Sequence, residues 1–259
     1  MLDFFIRIVN FFIRELEYLV ESNFSFREIA LRKKLKNKKI HYSRYKLFKK
    51  KWLLDSDINT IIDIGANVGE FTCIFVELFP NATIFAFEPI DDCYNELIKR
   101  TENYSKVNQY NFGLGAENTI KNFFKSSWDP SSSFLEMSDL HKKNAPHSAK
   151  STILEIEIKR LDDVVNISDL RNNILIKIDV QGFEAKVIQG GKKVFQKAKV
   201  IIIETSFITL YEKEPKFHGI YELLKNLGFE FRGILKQSFF NQDDSILYAD
   251  CIFVSTKDR

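Results

Sequence analysis

Residues 60–72 read TIIDIGANVGEFT and residues 83–89 read TIFAFEP. The first stretch opens as a short apolar run rich in β-branched residues, which predicts a buried strand over Thr60–Ile64. Gly65 and Gly69 then permit a sharp turn and close backbone approach, and Val68–Phe79 predicts a helix ended by Pro80. The second stretch predicts a strand over Ala82–Glu88, followed by a helix over Asp91–Tyr104 and a third strand over Val107–Phe112. Strands alternating with helices in this way predict a parallel, doubly wound sheet.

Further along, Ile120–Phe124 and Ile153–Lys159 predict strands, while Ser126–Lys150 is polar and carries Ser131–Ser133, His141 and His147. That segment reads as a loop-rich insertion over the sheet, placed like a lid. The α/β rhythm then resumes with a strand over Asn173–Asp179, a helix over Phe183–Gln196, a strand over Val200–Glu204 and a helix over Phe217–Leu227 closed by Gly228. Phe229–Leu235 and Ile246–Ser255 have no helix between them and should pair as an antiparallel hairpin. The expected fold is α/β: a Rossmann-like sheet of five parallel strands plus a C-terminal antiparallel pair. It is assigned to residues 56–259, behind an N-terminal amphipathic and basic helical extension over residues 1–55.

Composition narrows the function. The hydrophobic fraction of 45% suits a globular domain with a sizeable core. Cys73, Cys93 and Cys251 form no CxxC pair, which excludes a zinc or redox centre built from cysteines and fits a reducing cytoplasm. Between Arg27 and Lys51 twelve basic residues face the single acid Glu28, so the net charge of +3 conceals a remainder that is net acidic. The apolar stretch Met1–Val20 is interrupted by Arg7, Arg14, Glu15 and Glu17, too often for a membrane-spanning helix. It also lacks the layout of a signal peptide. Phe4, Phe5, Ile8, Phe12, Leu16 and Leu19 fall near helical spacing and predict an amphipathic helix. With the basic stretch behind it, that helix could attach peripherally to the inner face of a membrane, although a solvated linker or a protein-docking segment fits as well.

Three motifs carry the chemistry. The turn DIGANVG, Asp63–Gly69, has glycines at a spacing unlike the G-x-G-x-x-G of dinucleotide folds. Asp63 would repel a pyrophosphate and favour a ligand with a cationic group, such as the ammonium and sulfonium of S-adenosylmethionine (SAM). The helix N-terminus beyond the turn is expected to stay free for the methionine carboxylate. Glu88, at the end of the next strand, is placed to accept two ribose hydroxyls, with Pro89 and Ile90 flanking the adenine. The third motif, LIKIDVQGFE, ends a strand at Asp179 and opens a helix near Glu184, while Glu204 ends the following strand. Adjacent strand ends would bring Asp179 and Glu204 together with Glu184 nearby, as a general base or as ligands of a shared divalent ion. His141, His147 and His218 are base candidates by chemistry alone.

With these motifs in place, the chain resembles the FkbM family of methyltransferases. The resemblance rests on IIDIGANVGEFT, FAFEP, KRLDDVV, LIKIDVQGFEAKVIQGG, IIIETSFITLYEKEP and ADCIFV, spread over roughly Ile61 to Val254. It implies SAM as cofactor and O-methylation of a hydroxyl, often on a sugar or a polyketide-type product. It further implies that Asp63, Gly65, Asn67, Gly69 and Glu88, with Ala66, Thr72 and Pro89 beside them, line the SAM pocket. Ser131–Ser133 and Asp179–Glu184 would approach the acceptor. The expectation is a cytoplasmic SAM-dependent O-methyltransferase acting on a sugar in a glycan, glycolipid or related natural product, as in polysaccharide biosynthesis. Competing readings are an RNA methyltransferase using the basic stretch and a non-catalytic SAM-binding protein. The acid-rich remainder makes nucleic acid a poor partner, and metal dependence stays open.

Overall fold

The computed structural model describes residues 26–240 and 243–258. The amphipathic helix expected over Met1–Val20 lies outside them. The chain divides into two units, Met1–Lys46 and Leu47–Arg259. In the first, residues 26–37 are helical and end in a turn at Lys38–Lys39. Glu28 accepts hydrogen bonds there from Arg32, at 2.6 Å, and from the Tyr42 hydroxyl, at 2.9 Å.

The second unit carries a seven-stranded sheet in the order β3-β2-β1-β7-β8-β10-β9 and a three-stranded sheet in the order β4-β6-β5. The large sheet comprises β1 (Thr60–Ile64), β2 (Thr83–Phe87), β3 (Val107–Tyr110), β7 (Ile174–Ile178), β8 (Ala198–Ser206), β9 (Phe229–Phe239) and β10 (Ile246–Ser255). The small one comprises β4 (Gly113–Leu114), β5 (Thr119–Ser126) and β6 (Ser151–Lys159). The pairs β1–β2, β2–β3, β1–β7 and β7–β8 are parallel. β10 runs antiparallel to both β8 and β9, inserted between them. The hairpin therefore forms as expected, but its second strand is the inner one.

Every residue of β1 and of β7 is buried. Central parallel strands are covered on both faces, so apolar runs are expected there, and each fully buried Ile contributes about 1.5–3 kcal/mol. Asp63 and Lys177 break those two runs and are cross-strand register partners. Ile62, Ile176, Phe87, Phe195 and Phe253 share the main core cluster. Phe48, just inside this unit, packs edge-to-face on Phe71 and Phe75 of the Glu70–Leu78 helix, with centroids 5.4 and 5.2 Å away.

Two expectations are corrected. The helix over Phe183–Gln196 breaks into Glu184–Gly190 and Lys192–Phe195. A Cβ on Gly190 would lie 1.8 Å from the Gly115 carbonyl oxygen, so the chain must pass here with no side chain. The strand expected over Val107–Phe112 stops at Tyr110, and Gly113–Leu114 leaves to pair with β6 in the small sheet. Phe123 of that sheet packs with Ile90 and Cys93, just beyond the exit of β2.

Candidate active site

After β3 the chain returns to place β7 beside β1, so the winding reverses between these two strands. In open α/β sheets, ligands bind in the crevice beyond the strand ends at such a reversal. The two strand exits touch there. Gly65 has φ +78°, and a Cβ on it would lie 2.0 Å from the Asp179 carbonyl oxygen, so only glycine suits the position. Asn67, at φ 49°, and Gly69, at φ +79°, complete the turn, and Gly69 caps the Glu70–Leu78 helix.

The turn's own amides are engaged. Those of Gly65 and Ala66 donate to the Phe87 carbonyl, that of Asn67 to Glu88 Oε2, that of Val68 to Asn67 Oδ1 and that of Gly69 to the Ala66 carbonyl. Three of them, from Gly65, Ala66 and Asn67, grip the exit of β2, and the helix whose N-terminus was expected to meet a methionine carboxylate begins beyond the turn, at Glu70.

Glu88 is almost fully buried and receives the amides of Asn67 at 2.8 Å and Ile90 at 2.9 Å, one on each carboxylate oxygen. Each oxygen keeps a further lone pair for a ligand hydroxyl. Burial pushes its pKa up to about 7, against the pull of those two amides. Ala66 is buried and Pro89 partly exposed beside it. Ile90, expected to flank the adenine, instead turns into the cluster with Cys93 and Phe123.

Asp63 is completely buried, and its Oδ2 accepts from the equally buried Thr72 hydroxyl at 2.7 Å. Its Oδ1 lies 3.7 Å from Lys177 Nζ and has no hydrogen-bond donor. Asp63 and Thr72 thus stand beneath the turn, not on the cleft surface where the sequence put them. Burial raises the Asp63 pKa, opposed by Lys177 and Thr72. Burial also works against the Lys177 charge, but Asp179, Asp63, Asp250 and Glu204 outweigh it and hold the ammonium above its ordinary value.

Asp179 is the reachable carboxylate, with a quarter of its side chain exposed and Oδ2 3.5 Å from Lys177 Nζ. Gln181 Nε2 donates to both Asp179 Oδ1 and Glu204 Oε1, each at 2.7 Å. The two carboxylates expected to meet do meet, through an amide. Of the two roles left open for the pair, general base or ligands of a shared ion, the amide between them occupies the bridging position. Among the described residues no group of three or more His, Cys, Asp or Glu side chains is arranged to hold a metal. Burial, then Asp179, Asp250 and Glu184, push the Glu204 pKa well above its usual range, against the hydrogen bond from Gln181.

Glu184 is buried, and its Oε1 receives the amides of Val180 and Gly182, both at 3.1 Å. It shapes the loop that presents Asp179 and does not face the cleft. The segment Ser127–Lys150 docks on the exits of β7 and β8. Ser133 Oγ donates to the Gln181 carbonyl at 2.6 Å, and the Tyr211 hydroxyl reaches the Ser131 carbonyl at 3.0 Å. A cavity of about 120 Å³ opens there, lined in part by Tyr211, Ser131, Ser148 and Lys142. His141 lies edge-on to Tyr211 with ring centroids 5.1 Å apart, and burial lowers its pKa. His147 meets the Trp128 ring, and His218 is exposed on the Phe217–Asn226 helix.

Sequence reasoning gave no role to Lys177 or Tyr211, and placed Gln181 only within the Asp179–Glu184 segment expected to approach the acceptor. Lys177 carried a signal, as the lone charge in the apolar run ILIKI. Tyr211 lies in a loop with no periodicity to mark it.

Comparison with known proteins identifies a family and relatives. The family model described as the methyltransferase FkbM domain matches residues 63–231. The 2-O-methyltransferase NoeI of Sinorhizobium fredii is 28% identical over 178 residues, covering 66% of this chain and 73% of its own. The hexuronic acid methyltransferase AglP of Haloferax volcanii is 25% identical over 143 residues, covering 55% of this chain and 54% of its own. Among solved structures, the FkbM methyltransferase from Methylobacillus flagellatus superposes with a TM-score of 0.49 at 13% identity, over 76% of this chain. This chain spans 44% of that one.

Proposed function

The chain belongs to the FkbM-domain family of SAM-dependent methyltransferases, and from that premise we propose that it methylates a hydroxyl of a sugar in a glycan, glycolipid or related natural product. The observation that carries the reading is Asp179, a partly exposed carboxylate at the sheet's winding reversal, joined to Glu204 through one amide. Relatives named for 2-O-methylation and for hexuronic acid methylation support a sugar acceptor.

The residues present fit a nucleoside with a free ribose. Glu88 retains acceptor capacity for two hydroxyls, and the left-handed turn at Gly65, Asn67 and Gly69 keeps side-chain bulk off the strand exits. When bound, SAM supplies a methyl group made electrophilic by its sulfonium. A sugar hydroxyl is a weak nucleophile, so its proton must leave as the new oxygen–carbon bond forms. Asp179 receives that proton, and Lys177 balances the charge of the ionised carboxylate from below. Most of the rate then comes from aligning the reactants and excluding water, which falls to the segment Ser127–Lys150 over the strand exits.

A second surface supports a peripheral membrane role for the first unit. Its basic helix exposes Phe26 at 70% and Ile29 at 58% among Arg27, Lys33 and Lys36, a composition that suits an anionic lipid surface. No helix among the described residues is long and apolar enough to cross a membrane.

Calorimetry tests the nucleoside assignment. SAM should bind in preference to NAD, and Glu88→Ala should weaken SAM by about 1.5–3 kcal/mol through loss of charge-assisted hydrogen bonds. Ligand hydroxyls favour the ionised carboxylate, so SAM affinity should also fall as pH drops below about 7. Preferential NAD binding, or unchanged affinity in the Ala variant, contradicts the assignment.

A further inference from the structure

Gln181 sits in the left-handed region at φ 54°, where a residue with a side chain is strained by about 1 kcal/mol or more, directly before Gly182 at φ 94°. That conformation places its side chain between two carboxylates and its carbonyl under the overlying segment. Its Nε2 has two hydrogens and uses both, on Asp179 and Glu204. Its Oε1 accepts from the Tyr211 hydroxyl at 2.9 Å, and its main-chain carbonyl accepts from Ser133. The amide has one workable orientation. Reversed, it would turn its oxygen to both carboxylates and its hydrogens to the Tyr211 hydroxyl. Tyr211 is itself held from several sides. It is 2% exposed, its amide and that of Leu210 donate to Glu214, and the single hydrogen of its hydroxyl is divided between Gln181 Oε1 and the Ser131 carbonyl. Burial, then Glu204 and Glu214, push its pKa well up, so the phenol keeps the proton it donates.

We propose that Gln181 and Tyr211 are positioning residues of the reacting centre: Tyr211 locks the Gln181 amide, and the amide holds Asp179 and Glu204 as one hydrogen-bonded pair beneath the acceptor. This rests on the reading of Asp179 as the proton acceptor. The pair is crowded by like charge. Glu204 faces Asp179, Asp250 on β10, its register partner, and Glu184, together with the phenols of Tyr211 and Tyr248, while Lys177 supplies the cation. A hydrogen bond donated to the Glu204 carboxylate favours its ionised form, and without it the Glu204 proton is held more tightly.

The test uses the full chain with Gln181→Ala, Tyr211→Phe and Asp179→Asn, and needs no acceptor for its main readout. Carboxyl-carbon NMR titration of Glu204 should show its midpoint rising by about half a unit or more in Gln181→Ala, and in the same direction in Tyr211→Phe. In Asp179→Asn it should fall, because the neighbouring negative charge is gone. SAM affinity should stay within about threefold in all three variants. With labelled SAM and a panel of methyl glycosides, kcat should drop at least about tenfold in Gln181→Ala and Tyr211→Phe, as expected when the group taking the proton is misplaced. A Glu204 midpoint that does not move in Gln181→Ala or Tyr211→Phe overturns the proposal. So does a SAM affinity that falls in step with thermal stability, since that marks a purely fold-supporting role. A native chain that binds SAM but methylates no glycoside removes the sugar reading and leaves the titration result standing.

Discussion

The amides of Val180 and Gly182 meet the same oxygen of Glu184, so a proton on the other oxygen leaves both bonds in place. Burial pushes this carboxyl up to about 8, against hydrogen bonds from its own amide and from those of Gly182 and Val180. Between its unfolded value near 4.5 and about 8, the folded chain binds more proton than the unfolded one, so this group's contribution to stability falls as pH rises through that window. Glu184→Gln keeps an oxygen for both amides and removes the titration. Its melting temperature should therefore decline less than that of the native chain between about pH 5 and pH 8. Parallel curves would mean that Glu184 is ionised in the fold across the range. Residue roles were unevenly legible. Glu88 and Asp179 stand at strand ends, which the apolar pattern located, and the structure puts both at the crevice. Glu184 and Asp63 look as functional in the sequence as those two do. Burial sets Asp179, a quarter exposed, apart from Glu184 and Asp63, whereas Glu88 is as buried as Glu184 and differs by taking one amide on each oxygen at the exit of β2.

Between β1 and β7 the account turns on one cross-strand pair. Lys177 is a buried cation whose partners are the buried Asp63 and the rim carboxylate Asp179. Lys177→Met leaves Asp63 without its counter-charge and should cost about 3–5 kcal/mol in urea unfolding. The double variant Asp63→Asn, Lys177→Met should recover a large part of that loss, because removing both charges removes the desolvation cost of each. A Lys177→Met chain within about 1 kcal/mol of native would show that the pair is not a strut of the sheet. Strand positions were legible because buried parallel strands are written as apolar runs, which located β1, β2, β7 and β8 closely. The break at Gly190 was not, since it answers to the Gly115 backbone seventy-odd positions upstream. The departure of Gly113–Leu114 into a second sheet depends in the same way on a distant partner, β6.

At the scale of the molecule, the charge asymmetry read from composition falls only partly along the two structural units: residues 1–46 carry 11 Lys/Arg against 5 Asp/Glu, residues 47–259 carry 27 against 30, and the basic stretch runs on across the boundary to Lys51. The family and its methyl-transfer chemistry were readable because they reside in contiguous motifs, whereas the segments 127–150 and 207–216 meet each other through bonds such as Tyr211 to Ser131 and Ser138 to Thr209. Those loops have no periodicity for a sequence reading to follow. The central claim is that this crevice moves a methyl group from SAM to a sugar hydroxyl with Asp179 taking the proton. Methyl-labelled SAM, incubated with a panel of mono- and oligosaccharides including uronic acids, tests it most directly, with the site of labelling read by mass spectrometry. The account predicts label in ether linkage on a sugar oxygen by the native chain, and a loss of about 10²–10⁴-fold in Asp179→Asn at nearly unchanged SAM affinity. Label on nitrogen or on nucleic acid, or near-native turnover by the Asn variant, would contradict it.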